Sequence, residues 1–200
     1  MKMPRINEEQ RLTNQKKIVE VAKDFFAERG YNNTSLNDII KSMHISKGRF
    51  YTYFKSKEAL FFEVIYDSDD LIRNTEVAWQ NLGDYLEYRL RRYFDETVRI
   101  SAKYTIEFWA SSNLNEEQKN TQKKRYDLFK EDIKMIIEMG QKQGVYKKTV
   151  NMDAFVHVLM SCIDGIILLD SVLDHRIDDA VIETTVDVFN TYLKGVEDAN

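Results

Sequence analysis

The chain contains 200 residues, of which 43% are apolar, and it has one proline and seven glycines. This length is enough to bury a core and fits one or two domains. The shortage of turn-forming residues favours an all-helical fold. A single cysteine, Cys162, excludes an intramolecular disulfide. The segment from Met1 to Gln10 lacks the apolar core of a secretion signal, so we expect a cytoplasmic protein.

The charge is distributed unevenly along the chain. Residues 1–57 contain 12 Lys and Arg against 6 Asp and Glu, a net charge of +6, whereas residues 58–200 contain 17 against 27, a net charge of −10. A basic segment is attracted to the phosphates of nucleic acid, and an acidic segment is repelled by them. We therefore predict a DNA-binding domain over residues 1–57 and a separate body over residues 58–200.

The first predicted helix is long. Asn7 followed by Gln10 resembles a capping box, which marks the start of a helix, and Gly30 is a typical stop after about Arg29. Helical spacing predicts an inner face made of Ile18, Val21, Ala22, Phe25 and Phe26. Such a helix can hold two shorter ones in place as a three-helix head.

Two short helices follow, joined by a tight turn that contains His44. Thr34 or Ser35 can cap the first, and Ser46 can cap the second, which is predicted over Lys47–Phe54. The apolar residues of the first short helix repeat at helical spacing, at Leu36, Ile39, Ile40 and Met43. This arrangement is the helix-turn-helix pattern, whose second helix enters the major groove of DNA.

The second short helix has one apolar and one polar face. Its two phenylalanines face the first helix, whereas Arg49, Thr52 and Tyr53 share the other face beside Gly48. An ordinary amphipathic helix with a solvated basic side would explain the charges, but not Arg, Thr and Tyr beside a glycine. The residues predicted to contact base edges or phosphates are Thr34, Ser35, Ser46, Lys47, Gly48, Arg49, Tyr51, Thr52, Tyr53 and Lys57.

This part of the chain resembles the TetR family of bacterial transcriptional repressors. The matching residues are Phe25, Gly30, Tyr31, Thr34, Ser35, Asp38, Ile39, Ile45, Ser46, Lys47, Gly48, Tyr51, Tyr53, Phe54, Lys55, Lys57, Glu58 and Leu60. One departure is His44, where glycine is common. Histidine tolerates left-handed backbone better than most non-glycine residues, so we expect the turn to form.

The resemblance implies an all-α fold of about nine to ten helices. In such a fold a long helix joins the three-helix head to a C-terminal body that binds a ligand and dimerises. It also implies a dimeric regulator that binds a palindromic operator as a repressor and is released by a small hydrophobic effector. The base preference does not carry over, because the position of Arg49 varies with the operator.

The fourth helix is expected to join the head to the body. Ser56 can cap it, and we expect it to run on toward Leu82, where Gly83 and Asp84 break the pattern. A fifth helix is expected to start near Tyr85, and one or two helices fit between that residue and the next cap. The residues expected to pack on the head are Leu60, Phe61, Val64 and Ile65.

A second capping box, Asn115 with Gln118, opens a helix to about Gln143, which Gly144 ends. Its predicted inner face consists of Tyr126, Phe129, Ile133, Ile136 and Ile137.

The last two predicted helices, Asn151–Leu173 and Asp178 to about Glu197, form a candidate dimer interface. The first is apolar almost all round, which favours burial on more than one side, and His157, Asp164 and Asp170 within it argue against a membrane span. The second repeats apolar residues at spacings typical of packed helices. The alternative is that both only fill the core of one chain. The predicted interface residues are Phe155, Leu159, Ile163, Ile166, Ile182, Val186, Phe189 and Leu193.

Catalysis is not indicated. The three histidines show no metal-ligand spacing, and the chain has neither a glycine-rich phosphate loop nor a nucleophile elbow. We therefore predict no enzyme activity, cofactor or metal. Asp164 lies among apolar residues and needs a partner if it is buried. An interface hydrogen bond is favoured over a ligand.

The centre of the body is rich in aromatic residues, which suits a ligand cavity because Tyr and Trp combine an apolar ring with a polar tip. Ordinary core is the alternative. The predicted ligand-binding residues are Trp79, Tyr85, Tyr88, Tyr104, Glu107, Phe108, Ser111, Tyr126 and Phe129. Glu107 is the acid expected to face the ligand, unless it is solvated. An apolar molecule with a cationic group is favoured over a neutral lipophile.

Two further hypotheses remain. One is a DNA-binding regulator without a small-molecule effector, which a solid core in the body would favour. The other is an enzyme in the helical body with the head as a targeting device. The absence of a nucleophile or metal motif counts against it.

Overall fold

The structure is a computed structural model that describes the backbone of residues 8–73 and 79–195, and the side chains of residues 8–67 and 79–195. Within these ranges all regular structure is helical, which confirms the predicted all-α class. The helices are α1 (Glu8–Asn33), α2 (Leu36–Ser42), α3 (Lys47–Tyr51), α4 (Lys57–Arg73), α5 (Leu82–Arg91), α6 (Glu96–Ser111), α7 (Glu116–Lys142), α8 (Met152–Leu173) and α9 (Asp179–Lys194). Asn7, Val196 and Glu197, which bear on two predicted helix ends, lie outside the described residues.

The described residues form two compact units. The first contains residues 8–73 together with Tyr104–Ser111, the last two turns of α6. The second contains residues 79–103 and 112–195. The first unit therefore continues past the domain boundary predicted after residue 57, because α4 packs against α1.

Local capping chemistry defines the helix-turn-helix of the first unit. The Ser35 hydroxyl accepts a hydrogen bond from the Asp38 amide, and the Ser46 hydroxyl accepts one from the Arg49 amide, both at 3.2 Å. His44 has a φ of 53°, so the predicted left-handed turn is present. The helix α3 ends at Tyr51 rather than at the predicted Phe54, because its last amides bond to carbonyls three residues back, in a tighter turn.

The core of the first unit contains most of the predicted apolar faces. Phe50 of α3 and Phe54 just after it are both buried. On α1 the buried stripe includes Val19 rather than the predicted Val21, and Phe25 is half-buried beneath the guanidinium of Arg29. The other large buried side chains of this unit are Ile18, Phe26, Ile39, Leu60, Phe61 and Phe108.

The break at the end of α1 is held by a carboxylate from α6. Gly30 has a φ of 76°, and a Cβ at this position would collide with the carboxylate of Glu107. That carboxylate accepts hydrogen bonds from the amides of Tyr31 at 2.9 Å and Asn32 at 3.0 Å. Ser111, one turn further along α6, donates to the side-chain oxygen of Asn32 at 3.0 Å. Glycine is needed here both for the left-handed backbone and for the space.

The boundary between α4 and α5 differs from the prediction. Asn81 accepts a hydrogen bond from the Asp84 amide at 3.0 Å, so it caps a helix that starts at Leu82. Gly83 and Asp84 therefore lie inside the first turn of α5 and do not break a longer helix. Residues 74–78, over which α4 was expected to continue, lie outside the described residues.

The bend between α5 and α6 lies at residues 92–95. A 3-10 turn spans Arg92–Phe94, and Asp95 is extended, with a ψ of 123°. The Asp95 carboxylate accepts from the Thr97 amide at 2.8 Å and so caps the start of α6.

In the second unit α5 packs against α7 and α9, and α7 packs against α8. The predicted capping box of α7 is confirmed, since Asn115 and Gln118 bond reciprocally at 2.9 Å. Gly144 ends this helix with a φ of 76°. Tyr126, predicted on the inner face, is only partly covered and remains 36% exposed. The main buried side chains are Leu82, Leu86, Leu90, Ile133, Ile137, Val156, Leu159, Phe189 and Leu193.

A buried ion pair links α6 to α8. The guanidinium of Arg99 donates to the Asp170 carboxylate at 2.8 Å, and the other Asp170 oxygen accepts from the Ile177 amide at 2.9 Å. Within the described residues α8 alone is long and apolar enough to cross a membrane. The buried core helix of a helical protein can have the same length and composition. In α8, Asp170 forms its ion pair with Arg99 inside the second unit.

The Glu107 contact gives a prediction about stability. Replacing Glu107 with Ala leaves two amides without their acceptor, so we expect the free energy of unfolding to fall by about 1–2 kcal/mol. Urea unfolding followed by circular dichroism would measure the loss.

Two controls accompany this variant. Glu107→Gln keeps one acceptor oxygen and should lose less, whereas Lys103→Ala, an exposed change on the same helix, should stay within about 0.5 kcal/mol of wild type. An equal loss in Glu107→Ala and Lys103→Ala would mean that the carboxylate does not stabilise the turn.

Candidate functional site

The polar face of α3 lies on the surface of the first unit. Lys47, Gly48 and Arg49 are exposed, as are Tyr51 and Thr52 just beyond them. The Ser46 hydroxyl caps the helix, and Thr52 donates to the Arg49 carbonyl at 2.7 Å. The face therefore presents a guanidinium and an ammonium on a helix whose opposite side is fixed in the core by Phe50.

Gly48 is not required by the fold. A Cβ built on it would meet no atom within 4 Å, and its backbone is not left-handed. Since alanine is a better helix former than glycine, neither packing nor local conformation explains a glycine at this exposed position. Close approach of another molecule to the backbone of α3 would explain it.

Thr34 does not belong to the exposed face, contrary to the prediction. Its side chain is 2% exposed, and its hydroxyl lies 2.7 Å from the Gly30 carbonyl and 3.1 Å from the Phe25 carbonyl. Thr34 thus closes the end of α1. The sequence alone could not separate it from Ser35, which is exposed and caps α2.

Two other residues that were predicted to contact DNA, Lys57 and Tyr53, have partners within the first unit. The ammonium of Lys57 lies 4.1 Å from the centre of the Tyr31 ring and 3.5 Å from the Asn32 carbonyl, and burial lowers the pKa of Lys57. The Tyr53 hydroxyl accepts a hydrogen bond from Asn14 at 3.2 Å. Of the predicted set, the exposed members are Ser35, Ser46, Lys47, Gly48, Arg49, Tyr51 and Thr52.

The predicted ligand-binding set is divided between the two units. Tyr104 and Phe108 are buried in the core of the first unit, where Phe108 contacts Tyr31 and Phe61 with ring centres 4.7 Å and 4.4 Å apart. Glu107 and Ser111 bond to the end of α1. The expectation that Glu107 faces a ligand is therefore wrong, because backbone amides take up its carboxylate.

The remaining predicted ligand residues lie in the second unit. Trp79 contacts the rings of Tyr85 and Tyr88, at 5.6 Å and 4.8 Å between centres. Tyr126 donates to the Asp164 carboxylate at 2.7 Å, and burial together with that carboxylate raises the pKa of Tyr126. Asp164 thus has a partner within its own chain, not the interface partner that was favoured.

Arginines that the sequence analysis missed stand among these aromatic residues. The guanidinium of Arg89 lies 4.5 Å from the centre of the Phe129 ring, and that of Arg125 lies 5.6 Å from it. Burial raises the pKa of Tyr93, while the positive charges of Arg89, Arg92 and Arg125 oppose that rise. The sequence does contain an indication of this cluster, because Arg89 and Arg92 are three residues apart and residues at that spacing share a helix face.

An open cleft of about 470 Å³ runs along α5. Among the predicted ligand residues only Tyr88 lines it, and Arg92 also does so. The remaining lining residues are Asp84, Glu87 and Arg91, and Arg91 pairs with Glu87 at 2.6 Å. Within the described residues no three His, Cys, Asp or Glu side chains are grouped to hold a metal ion.

Most residues of the predicted dimer interface are buried inside the single chain. These are Phe155, Leu159, Ile163, Ile182, Phe189 and Leu193. Val186 is half-buried, and so is Ile166, which lines a cleft of about 300 Å³ with Leu169 and Val181. A charge at Phe189 or Leu193 would therefore disrupt the core rather than separate two folded subunits. The exposed apolar residues of α8 and α9 are their neighbours, Val158, Leu168, Leu169, Val172, Leu173, Val188 and Tyr192.

Two family models match the chain. The model for bacterial regulatory proteins of the tetR family matches residues 18–64, and the model for the tetracyclin repressor-like C-terminal domain matches residues 81–181. The first match contains α2 and α3, and the second covers half of the chain.

Curated relatives are transcriptional regulators. The uncharacterized HTH-type transcriptional regulator YfiR of Bacillus subtilis is 27% identical over 174 residues, which cover 82% of this chain and 83% of that protein. The negative transcriptional regulator IcaR of the Staphylococcus aureus biofilm operon icaADBC is 31% identical over 102 residues. That match covers 50% of this chain and 55% of IcaR.

Solved structures share the fold at low sequence identity. Salmonella enterica GusR has a TM-score of 0.75 at 21% identity, covering 95% of this chain and 99% of that one. FadR of B. subtilis with stearoyl-CoA has a TM-score of 0.70 at 17% identity, covering 89% and 98%. A putative regulator of Saccharomonospora viridis with choline has a TM-score of 0.66 at 22% identity, covering 90% and 95%.

The C-terminal match alone spans half of the chain, and the helix-turn-helix lies within the N-terminal match. The chain therefore belongs to the TetR family of bacterial regulatory proteins, whose members are DNA-binding transcriptional regulators and not enzymes.

Proposed function

We propose that this protein is a cytoplasmic, dimeric repressor that binds a palindromic operator and leaves it when a small molecule binds the second unit. The observation that carries the proposal is the exposed face of α3, on which Arg49 stands beside a glycine that the fold does not require. IcaR, a relative over half of the chain, is a negative regulator, which supports repression.

In this proposal α3 lies in the major groove. Arg49 has the planar fork of donors that matches the two acceptors of guanine, and Gly48 lets the backbone of α3 come close to the DNA. Lys47, at the first turn, is positioned for a phosphate. Lys57 has a smaller role than its sequence position predicts, because its ammonium packs on Tyr31.

A substitution at Gly48 can separate its effect on DNA binding from its effect on folding. The change Gly48→Ala should leave folding intact or raise helix stability by up to about 1 kcal/mol. Its methyl group should nevertheless lower operator affinity about tenfold or more, through the cost of overpacking the groove. Fluorescence anisotropy on a duplex selected from a random pool would measure the affinity, and thermal unfolding the stability.

Charge variants provide the companion test on the same duplex. Arg49→Ala should lose about 1–3 kcal/mol of discrimination at one base pair, whereas Lys47→Ala should weaken all sequences and lower the salt slope by about 0.9. Lys123→Ala, an exposed change on α7, should do neither. If Arg49→Ala weakens every sequence equally, Arg49 does not read a base.

We assign dimerisation to the exposed apolar residues of α8 and α9. Val158, Leu169 and Val172 share one face of α8, and Val188 and Tyr192 stand exposed on α9. Apolar patches of this kind mark interaction surfaces on soluble proteins. A dimer also fits helix-turn-helix recognition, because two heads about 34–36 Å apart read two half-sites of a palindrome.

The assignment predicts that the double change Val158→Glu with Leu169→Glu gives folded monomers that bind the operator weakly. Analytical ultracentrifugation would measure the mass, and circular dichroism the helix content. Leu128→Glu, at a similarly exposed apolar residue on α7, should remain dimeric. A double variant that still sediments as a dimer would place the interface elsewhere.

The helix α6 can carry a signal from the second unit to the DNA-binding head. It begins in the second unit, where Arg99 pairs with Asp170, and ends in the first, where Glu107 bonds to the turn after Gly30. A ligand releases DNA only if it binds the released conformation more tightly than the DNA-bound one. The structural neighbours bind stearoyl-CoA and choline, an anion and a cation, so the fold alone does not select the ligand.

A further inference from the structure

Arginines and aromatic rings from two helices meet in the second unit. On α7, Gln122, Arg125, Tyr126 and Phe129 follow one another at spacings of three, one and three and therefore share a face. The Arg89 guanidinium of α5 lies 4.5 Å from the centre of the Phe129 ring, so α5 meets that face. Arg92 and Tyr93 follow Arg89 by one turn.

Several polar atoms at this place lack a partner. The Nη1 atoms of Arg89 and Arg92 are buried and have no hydrogen-bond partner among the described residues. Gln122 is 8% exposed, and neither its amide nitrogen nor its oxygen has a partner there. Burying polar groups without partners opposes folding, and such groups are rare unless a function retains them.

The nearby carboxylates have partners other than Arg89 and Arg92. The Asp164 carboxylate accepts from Tyr126 and contributes a negative charge near Tyr93. Glu87 pairs with Arg91, on the open cleft. Arg92 lines this cleft and also carries a buried, unpartnered Nη1. Arg92 is therefore the residue at which the arginine cluster reaches the open cleft.

We propose that the effector is a small organic carboxylate with an apolar body. Its carboxylate would pair with Arg89 and Arg92, since a guanidinium fork matches a carboxylate. Its apolar part would contact Tyr88, the aromatic residue that lines the cleft, and Gln122 would supply a further polar contact. The inference rests on the proposed function, because it names the chemical class of the molecule that the second unit binds.

The same geometry disfavours the cationic ligand that the aromatic residues and the acidic body first suggested. Cation–π contact needs an open ring face, and the guanidiniums of Arg89 and Arg125 already lie over Phe129. Arg89 also lies 5.9 Å from the centre of the Tyr85 ring. The protein's own cations thus occupy faces of Phe129 and Tyr85 that a ligand cation would use, and they repel it.

The test compares three probes that differ only in their head group: 4-phenylbutyrate, 4-phenylbutanol and 4-phenylbutylammonium. Calorimetric titration of the full-length protein should detect binding of the carboxylate and much weaker binding of the other two. Arg89→Gln and Arg92→Gln should each weaken carboxylate binding about tenfold or more. Arg176→Gln, at an exposed arginine outside this cluster that pairs with Asp174, should not.

The variant Gln122→Leu distinguishes a ligand-binding role of Gln122 from a purely structural one, because the two roles predict opposite changes in melting temperature. Because it removes two unpartnered polar atoms from a buried position, it should raise the melting temperature of the ligand-free protein while weakening carboxylate binding. A structural role for Gln122 predicts a lower melting temperature instead, and that result would overturn its part in the site.

The remaining outcomes separate this inference from the proposed function. Binding of the alcohol or the amine as tightly as the carboxylate, or of none of the three, would overturn the inference. If the alcohol or amine also releases the operator in anisotropy, ligand-controlled repression stands and only the ligand class is wrong. If the carboxylate binds through Arg89 and Arg92 but leaves the operator bound, the site stands and release by this ligand fails.

Discussion

The bond between the Glu107 carboxylate and two backbone amides is the contact on which the first unit depends. Gly30 turns the chain through a left-handed conformation, and the amides of Tyr31 and Asn32 that follow it donate to the Glu107 carboxylate. An acceptor must reach them, because unpaired backbone donors are costly. The acceptor comes from the part of α6 that belongs to the first unit, so the end of α1 is fixed by a side chain far away in the sequence.

What could be predicted from the sequence was local chemistry. Ser46 and Asn115 cap helices because a short polar side chain reaches the amide three residues on, and His44 makes its left-handed turn without glycine. The roles of Thr34 and Glu107 were missed for the opposite reason. The partners of Glu107 are amides 75 and 76 residues away, which no spacing rule encodes. Thr34 donates to carbonyls four and nine residues back, and only the first of these has a spacing that a local rule describes.

Net charge and local charge differ in the second unit. A sum of −10 over residues 58–200 suggests a cationic ligand, yet exposed charges act mainly on the solvent around them and are screened within about 10 Å. A ligand responds to the few charges that face it in a medium of low dielectric constant. There the guanidiniums of Arg89 and Arg125 lie against the Phe129 ring, and their sign is opposite to that of the whole unit.

The apolar spacing on α8 and α9 predicts that a helix face is covered, but it does not show what covers it. A repeat of four and three residues requires that a face be covered, and it is satisfied equally by another helix of the same chain or by a second subunit. In α9 the repeat through Ile182 and Phe189 is covered within the chain. What remains is the second, less regular apolar surface, in which Val158 and Val188 are exposed. We assign dimerisation to this second surface of α8 and α9, because a copy of the same chain presents a matching apolar surface.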